Sequence, residues 1–168
     1  MAVHRIPLLG WATKPDASGS VYAVPLDVVA TNDVWDALVY VFADTATRIG
    51  LHGRCTIPQN YVGTAKLAVV WSTTATSGDV EWDCDYRAVG GDDAESLDQA
   101  GTQESVNLND TAPSAVWERM ECLITLTSAN LAAGDELEFT LFRDGTDGGD
   151  TIAASVYLFN VLLEYADA

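Results

Sequence analysis

Val156-Tyr-Leu-Phe-Asn-Val-Leu-Leu-Glu-Tyr165 is apolar on both faces of the strand it would form. At a period of two, Val156, Leu158 and Leu162 fall on one side, and Tyr157, Phe159, Val161, Leu163 and Tyr165 on the other. A strand greasy on both faces must be covered on both faces. Either it runs through the middle of a sandwich, or its outer face meets another subunit. The strand before it alternates: Leu137, Phe139 and Leu141 point one way, Glu136, Glu138 and Thr140 the other.

Working back along the chain, the same period recurs. Val80, Trp82, Cys84, Tyr86 and Ala88 alternate with Glu81, Asp83, Asp85 and Arg87. Met120, Cys122, Ile124 and Leu126 share one face of another strand. Further strands are expected over 34 to 43, 48 to 57 and 66 to 73, with Gly50 and Gly53 suggesting a bend or bulge. Gly90 to Thr111 reads as a long polar loop with a short strand near Ser105 to Leu108. No helical period occurs beyond one turn near 129 to 133. About eight strands with turn signals between them predict an all-β fold: an antiparallel eight-stranded β-sandwich of jelly-roll type. An immunoglobulin-like sandwich is disfavoured because the cysteines and tryptophans lack its spacing.

Residues 1–33 read as an N-terminal arm with little regular structure, interrupted by Pro7, Pro15 and Pro25. The arm's apolar residues still need a place to pack, either on the core or across a neighbouring subunit. The sandwich domain is expected over 34–168. With 168 residues, 48% of them apolar, the chain suits one domain burying roughly 70% of its unfolded surface.

Acidic residues number 25 against 8 basic ones, a formal charge of -17. Such a surface repels phosphate backbones and anionic membranes, so no direct nucleic-acid or membrane partner is expected. The N-terminus lacks a signal-peptide pattern, and no stretch is long enough to cross a bilayer as a helix; synthesis and maturation in a cytoplasm are expected. Cys55, Cys84 and Cys122 are odd in number and far apart, which suits buried free thiols.

Two segments carry a resemblance: Ile57-Pro-Gln-Asn-Tyr-Val-Gly-Thr-Ala-Lys-Leu-Ala-Val-Val-Trp71, and Leu131-Ala-Ala-Gly-Asp-Glu-Leu-Glu-Phe-Thr-Leu-Phe-Arg-Asp-Gly-Thr-Asp-Gly-Gly-Asp-Thr-Ile152 closed by Val161-Leu-Leu-Glu-Tyr165. They resemble the jelly-roll structural proteins of tailed bacteriophages, of the capsid decoration, head-fibre and tail-associated type. The resemblance spans about residues 34 to 165 and carries no catalytic motif. It implies a non-enzymatic virion component, often trimeric, on the outer capsid surface, whose partners are further copies of itself and a major capsid protein or other virion protein. The interface residues expected on that reading are Ile6, Leu8, Leu9 and Trp11 of the arm, with Tyr157, Phe159, Val161 and Leu163 of the final strand. The alternative is a carbohydrate- or receptor-binding jelly-roll of a phage tail or fibre, with Trp11 as the exposed stacking candidate and Trp35, Trp71, Trp82 and Trp117 as core.

No other constellation fixes a chemistry. Asp144, Asp147 and Asp150 on a Gly-rich loop could supply oxygens to Ca2+, but the spacing is not that of a helix-loop-helix site, and Asp-Gly pairs also suit a plain hairpin loop. Asp92, Asp93 and Glu95 form a weaker set. His4 and His52 are distant in sequence and sit in no nucleophile or zinc motif. No catalytic residues and no resident cofactor are expected.

Overall fold

The computed structural model describes residues 1–8, 21–29, 36–90 and 103–167. The strands are β1 (Val3–Pro7), β2 (Val21–Tyr22), β3 (Val24–Val29), β4 (Asp36–Phe42), β5 (Arg48–Thr56), β6 (Tyr61–Thr73), β7 (Asp79–Val89), β8 (Glu104–Thr111), β9 (Met120–Thr125), β10 (Glu136–Asp144) and β11 (Val156–Asp167). Among the described residues the one helical element is a 3-10 turn, Ser128–Asn130.

From β4 onward the chain behaves as one ribbon folded back at its middle. β7 pairs with β8, β6 with β9, β5 with β10 and β4 with β11, all antiparallel. Wrapping that ribbon on itself lays β10 beside β7 and β11 beside β6. Successive strands are thereby dealt to two sheets, one ordered β4-β11-β6-β9 and the other β5-β10-β7-β8. This winding is a jelly-roll sandwich, the fold the alternating strands predicted. Its core holds Trp71 and Trp82 edge to face at 6.2 Å between centroids, with Phe42 packed on Trp82 at 5.4 Å. Leu137, Phe139 and Leu141 reach it from β10, and Cys122 and Ile124 from β9. Trp71 also donates its indole N–H to Asp110 Oδ2 at 2.7 Å, so its polar edge is satisfied.

Four expectations are corrected. The described parts of the arm form strands: β1 pairs with β11, β3 extends its sheet beside β4, and β2 runs parallel to β5 in the other sheet. Pro7 closes β1, and Pro25 lies in β3, an edge strand, where a missing N–H breaks no ladder. Gly50 and Gly53 make no bulge, since β5 runs in unbroken register along β10. A Cβ on either would lie 2.5 Å from the ring of Phe142 or Phe139; the glycines are where two aromatic rings cross the backbone. The polar stretch after Val89 contains a full edge strand, β8, rather than a short one.

The fourth correction concerns β11. Its pairing with β6 skips a residue between Leu158 and Asn160, so Phe159 is a β-bulge. The bulge reverses the phase. Val156 and Leu158 point into the core, and after it Val161, Leu163 and Tyr165 do so. Leu162 therefore lies on the outer side, opposite to its expected partners. The bulge also divides one edge of β11 between two partners: β4 takes Val156 to Leu158 and β1 takes Leu162 to Ala166.

Candidate functional site

The outer face of the β5-β10-β7-β8 sheet is a lattice of polar side chains. The three registers place His52, Thr140, Asp85 and Ser105 in one row across the four strands. Gly50, Phe142, Asp83 and Asn107 form the row on one side of it, and Arg54, Glu138 and Arg87 the row on the other. All are even-numbered on β5 and β10 and odd-numbered on β7 and β8, the parity opposite to the buried set, so strand alternation alone turns them outward.

Cross-strand bonds fix these groups. Arg87 Nη2 donates to Glu138 Oε2 at 2.7 Å. His52 Nδ1 and Thr140 Oγ1 lie 3.2 Å apart. Ser105 Oγ donates to Asp85 Oδ1 at 2.5 Å. Arg48 spans the lattice, with Nε donating to Asp83 at 3.1 Å and both Nη atoms 3.3 Å from Asp85 Oδ2. Its guanidinium carbon stands 3.7 Å above the centroid of the Phe142 ring. Burial raises the pKa of Asp83, Arg48 pulls the other way, and the neighbouring Asp144 raises it further. Burial likewise raises Glu81, with Asp147 and Asp83 adding to it. Burial acts on Asp144 in the same sense, but hydrogen bonds from Thr146, the contact with Asp83 and the charge of Arg48 hold it below the usual carboxylate range.

Two shallow recesses open on this face. One, of about 250 Å³, is lined by His52, Asp85, Arg87, Glu138, Thr140 and Phe142 among others. The second, of about 410 Å³, is lined by Arg48, Asp83, Asp85, Ser105, Val106 and Asn107. Asp85 borders both. The arrangement presents fixed donors and acceptors side by side on a flat sheet, each held by a cross-strand partner.

Sequence reasoning placed Asp83, Asp85, Arg87, Glu138 and Thr140 outward but did not unite them. Arg48, Ser105, Asn107 and Phe142 it did not single out; the usable signal was their parity, which becomes a site only once the strand order is known. His52 belongs to the site; His4 lies on β1, 2.8 Å from Asp167 and stacked on Tyr165.

The expected interface set is scattered. Leu8, Val161 and Leu163 are core residues, 2%, 1% and 0% exposed, because β1 docks on β11 and the Phe159 bulge turns the strand; this corrects their assignment to an interface. Ile6 packs partly against the core. Phe159 is partly buried, and Tyr157 is outward but stacked on Trp117 at 4.9 Å. That stack also moves Trp117 out of the expected core. Leu9, Trp11 and Trp35, with Asp92, Asp93 and Glu95, lie outside the described residues.

The cation candidates are engaged differently. Asp150 takes two hydrogen bonds from the buried Arg143, at 2.7 and 2.9 Å. Asp144 accepts from Thr146, and Asp147 from Gly149 N–H at 2.7 Å. Among the described residues no group of His, Cys, Asp and Glu is arranged to hold a metal ion.

No protein-family model and no curated protein matches the chain. Solved structures share its outline. A family 61 carbohydrate-binding module (TmCBM61) in complex with β-1,4-galactotriose is 11% identical, with 93% of this chain and 88% of that one covered and a TM-score of 0.47. A family 22 xylan-binding domain from Paenibacillus barcinonensis Xyn10C is 10% identical, with 95% and 87% covered and a TM-score of 0.48. A family 16 carbohydrate-binding module is 16% identical over 75% of each chain, with a TM-score of 0.39. These likenesses are distant, and the strand order defines the fold without them.

Proposed function

We propose that this chain is a non-catalytic, carbohydrate-binding jelly-roll module whose ligand lies on the outer face of the β5-β10-β7-β8 sheet. The observation that supports this is the row His52–Thr140–Asp85–Ser105, which borders two adjoining recesses. Each sugar hydroxyl both donates and accepts, so it bridges neighbouring donor and acceptor side chains such as Arg87 with Glu138, or Ser105 with Asp85. Carboxylates on this face (Asp83, Asp85, Glu136, Glu138, Asp144) outnumber its guanidiniums (Arg48, Arg54, Arg87), which favours neutral over acidic glycans.

A glycan array carrying neutral chains, xylan and β-1,4-galactotriose among them, beside acidic ones tests the reading. Retention of a neutral chain is expected, weakened about tenfold or more by Asp85→Asn, since a hydrogen bond to a charged group contributes about 1.5–3 kcal/mol. Equal binding by Asp85→Asn, or no retained glycan, refutes it.

A second reading keeps the self-associating virion component expected from the sequence. The observation in its favour is the exposure of Leu26 (51%) on the edge strand β3 and of Leu38 (72%) on its neighbour β4, on opposite faces of the sheet because Leu26 pairs with Val39. A concentration-dependent oligomer in sedimentation velocity, dispersed by Leu38→Asp, supports it; a monomer at every concentration excludes it.

A further inference from the structure

We infer that Arg48 is the stacking surface of this face: a pyranose ring lies flat on its guanidinium, whereas an open-chain polyol with equivalent hydroxyls finds no such seat. This presupposes the glycan-binding reading above. Three planar layers are built outward from the sheet. The lowest is the bare backbone of Gly50, where a Cβ would meet the Phe142 ring at 2.5 Å. The second is that ring. The third is the Arg48 guanidinium, 3.7 Å above the ring centroid.

Phe142 is the one Phe, Tyr or Trp turned outward among the described side chains of the four strands, yet it is 1% exposed. The flat layer offered to a ligand is therefore the guanidinium, whose side chain keeps 26% exposure and lines the larger recess. Asp83 and Asp85 grip its N–H edges at 3.1–3.3 Å, and Asp144 stands at 3.9 Å. Those contacts lie around the rim of the group and fix the plane. A guanidinium plane is weakly hydrated and stacks on flat surfaces, so the C–H face of a sugar ring can cover it without displacing strongly held water. A lysine in this place has the charge without the plane.

Arginine Nε–Hε nuclear magnetic resonance of the full chain reads the contact directly. Methyl β-pyranosides of galactose, glucose and xylose are titrated, each beside its alditol (galactitol, glucitol, xylitol). The Arg48 Nε–Hε signal is expected to shift with at least one pyranoside and not with its alditol, and Arg48→Lys is expected to weaken that pyranoside about tenfold. Shifts at His52, Thr140 and Ser105 that spare the Arg48 signal overturn the stacking role alone. So does equal response to pyranoside and alditol, or binding by a folded Arg48→Lys protein equal to wild type. No shift anywhere on the face with any of the six probes overturns the glycan reading, and this inference with it. The wild-type signal decides the case even where Arg48→Lys does not fold.

Discussion

Replacing Asp150 by Ala isolates Arg143, the most strongly buried charge among the described residues. Arg143 is 1% exposed and Asp150's side chain 3%. The guanidinium donates to both Asp150 oxygens and to the carbonyls of Phe42, Ala154 and Ile152, at 2.7–3.3 Å. One side chain thus ties the end of β4 and β10 to the segment leading into β11. Removing the carboxylate leaves a cation in the interior with neutral carbonyls and only the half-exposed Asp44, 3.6 Å from Nη2, for company. Breaking such a pair costs about 3–5 kcal/mol. For a domain of this size each kcal/mol shifts Tm by about 2–4 °C, so a fall of roughly 6–20 °C is expected. Urea denaturation and calorimetry measure both quantities, and Ca2+ or EDTA is expected to move neither protein. A variant within about 1 kcal/mol of wild type would refute the account, as would a wild-type Tm that rises with Ca2+, because Asp150 would then be a ligand rather than a counter-ion.

Three more outcomes follow from particular contacts. Gly50→Ala puts a methyl group against the Phe142 ring and is expected to destabilise by about 1–3 kcal/mol, read as a lower urea midpoint. Cys55, its thiol pushed up to about 12 by burial and by Glu136, should resist a thiol reagent at pH 8 until the protein is unfolded; rapid native labelling contradicts this. Asp167 is held below the usual carboxylate range by His4 and by the Ala2 N–H, and Glu121 by Arg5 and then Arg119. A depressed carboxyl stabilises above its unfolded pKa and loses that contribution as pH falls through the folded value, so β1 should loosen below about pH 4. Hydrogen exchange at the Leu8 N–H, bonded to Val161 O at 2.8 Å, reports it: faster opening is expected there than at Leu141 as the solution is acidified.

What the sequence made legible was whatever depends on one strand alone. Val80, Trp82, Cys84 and Tyr86 face inward, as do Leu137, Phe139 and Leu141, because alternation is a local property of the backbone. Arg143 continues that inward parity, which marks it as a buried cation in need of a carboxylate; Asp150 supplies it from the Gly-rich loop, which the sequence alone offered as a plain hairpin loop or a weak cation site. The Phe159 bulge was invisible, since a skipped residue is defined by the partner strand and not by its own side chain. β1 and β3 were hidden by Pro7 and Pro25, which interrupt a central strand but not an edge. The site was half legible. Its outward residues could be named, but which of them meet depends on β10 lying between β5 and β7, a long-range consequence of the ribbon's winding.

The two outer faces of the sandwich differ in how their charges are arranged, and this is why the proposed glycan site is put on one of them. On the β4-β11-β6-β9 sheet, Arg5 of β1 reaches Glu164 at 2.6 Å and Glu121 at 2.7 Å, while Lys66 and Arg119 join the same two carboxylates. Ala68 and Val70, outward by parity, are nevertheless 0% and 6% exposed. Trp117, held at φ 67, lies against Tyr157. That face is closed by its own side chains, with β1 supplying the central cation. On the β5-β10-β7-β8 sheet the partners of each cation sit on other strands of the same face: Glu136 for Arg54, Glu138 for Arg87, and Asp83 and Asp85, reached across β10, for Arg48. Neutralisation there runs sideways across the face and leaves Arg48, Asp83, Asp85, Arg87 and Glu138 lining the recesses. A hydroxyl-rich ligand can then add hydrogen bonds without breaking an ion pair, which the opposite face could not offer unless Arg5 were displaced first.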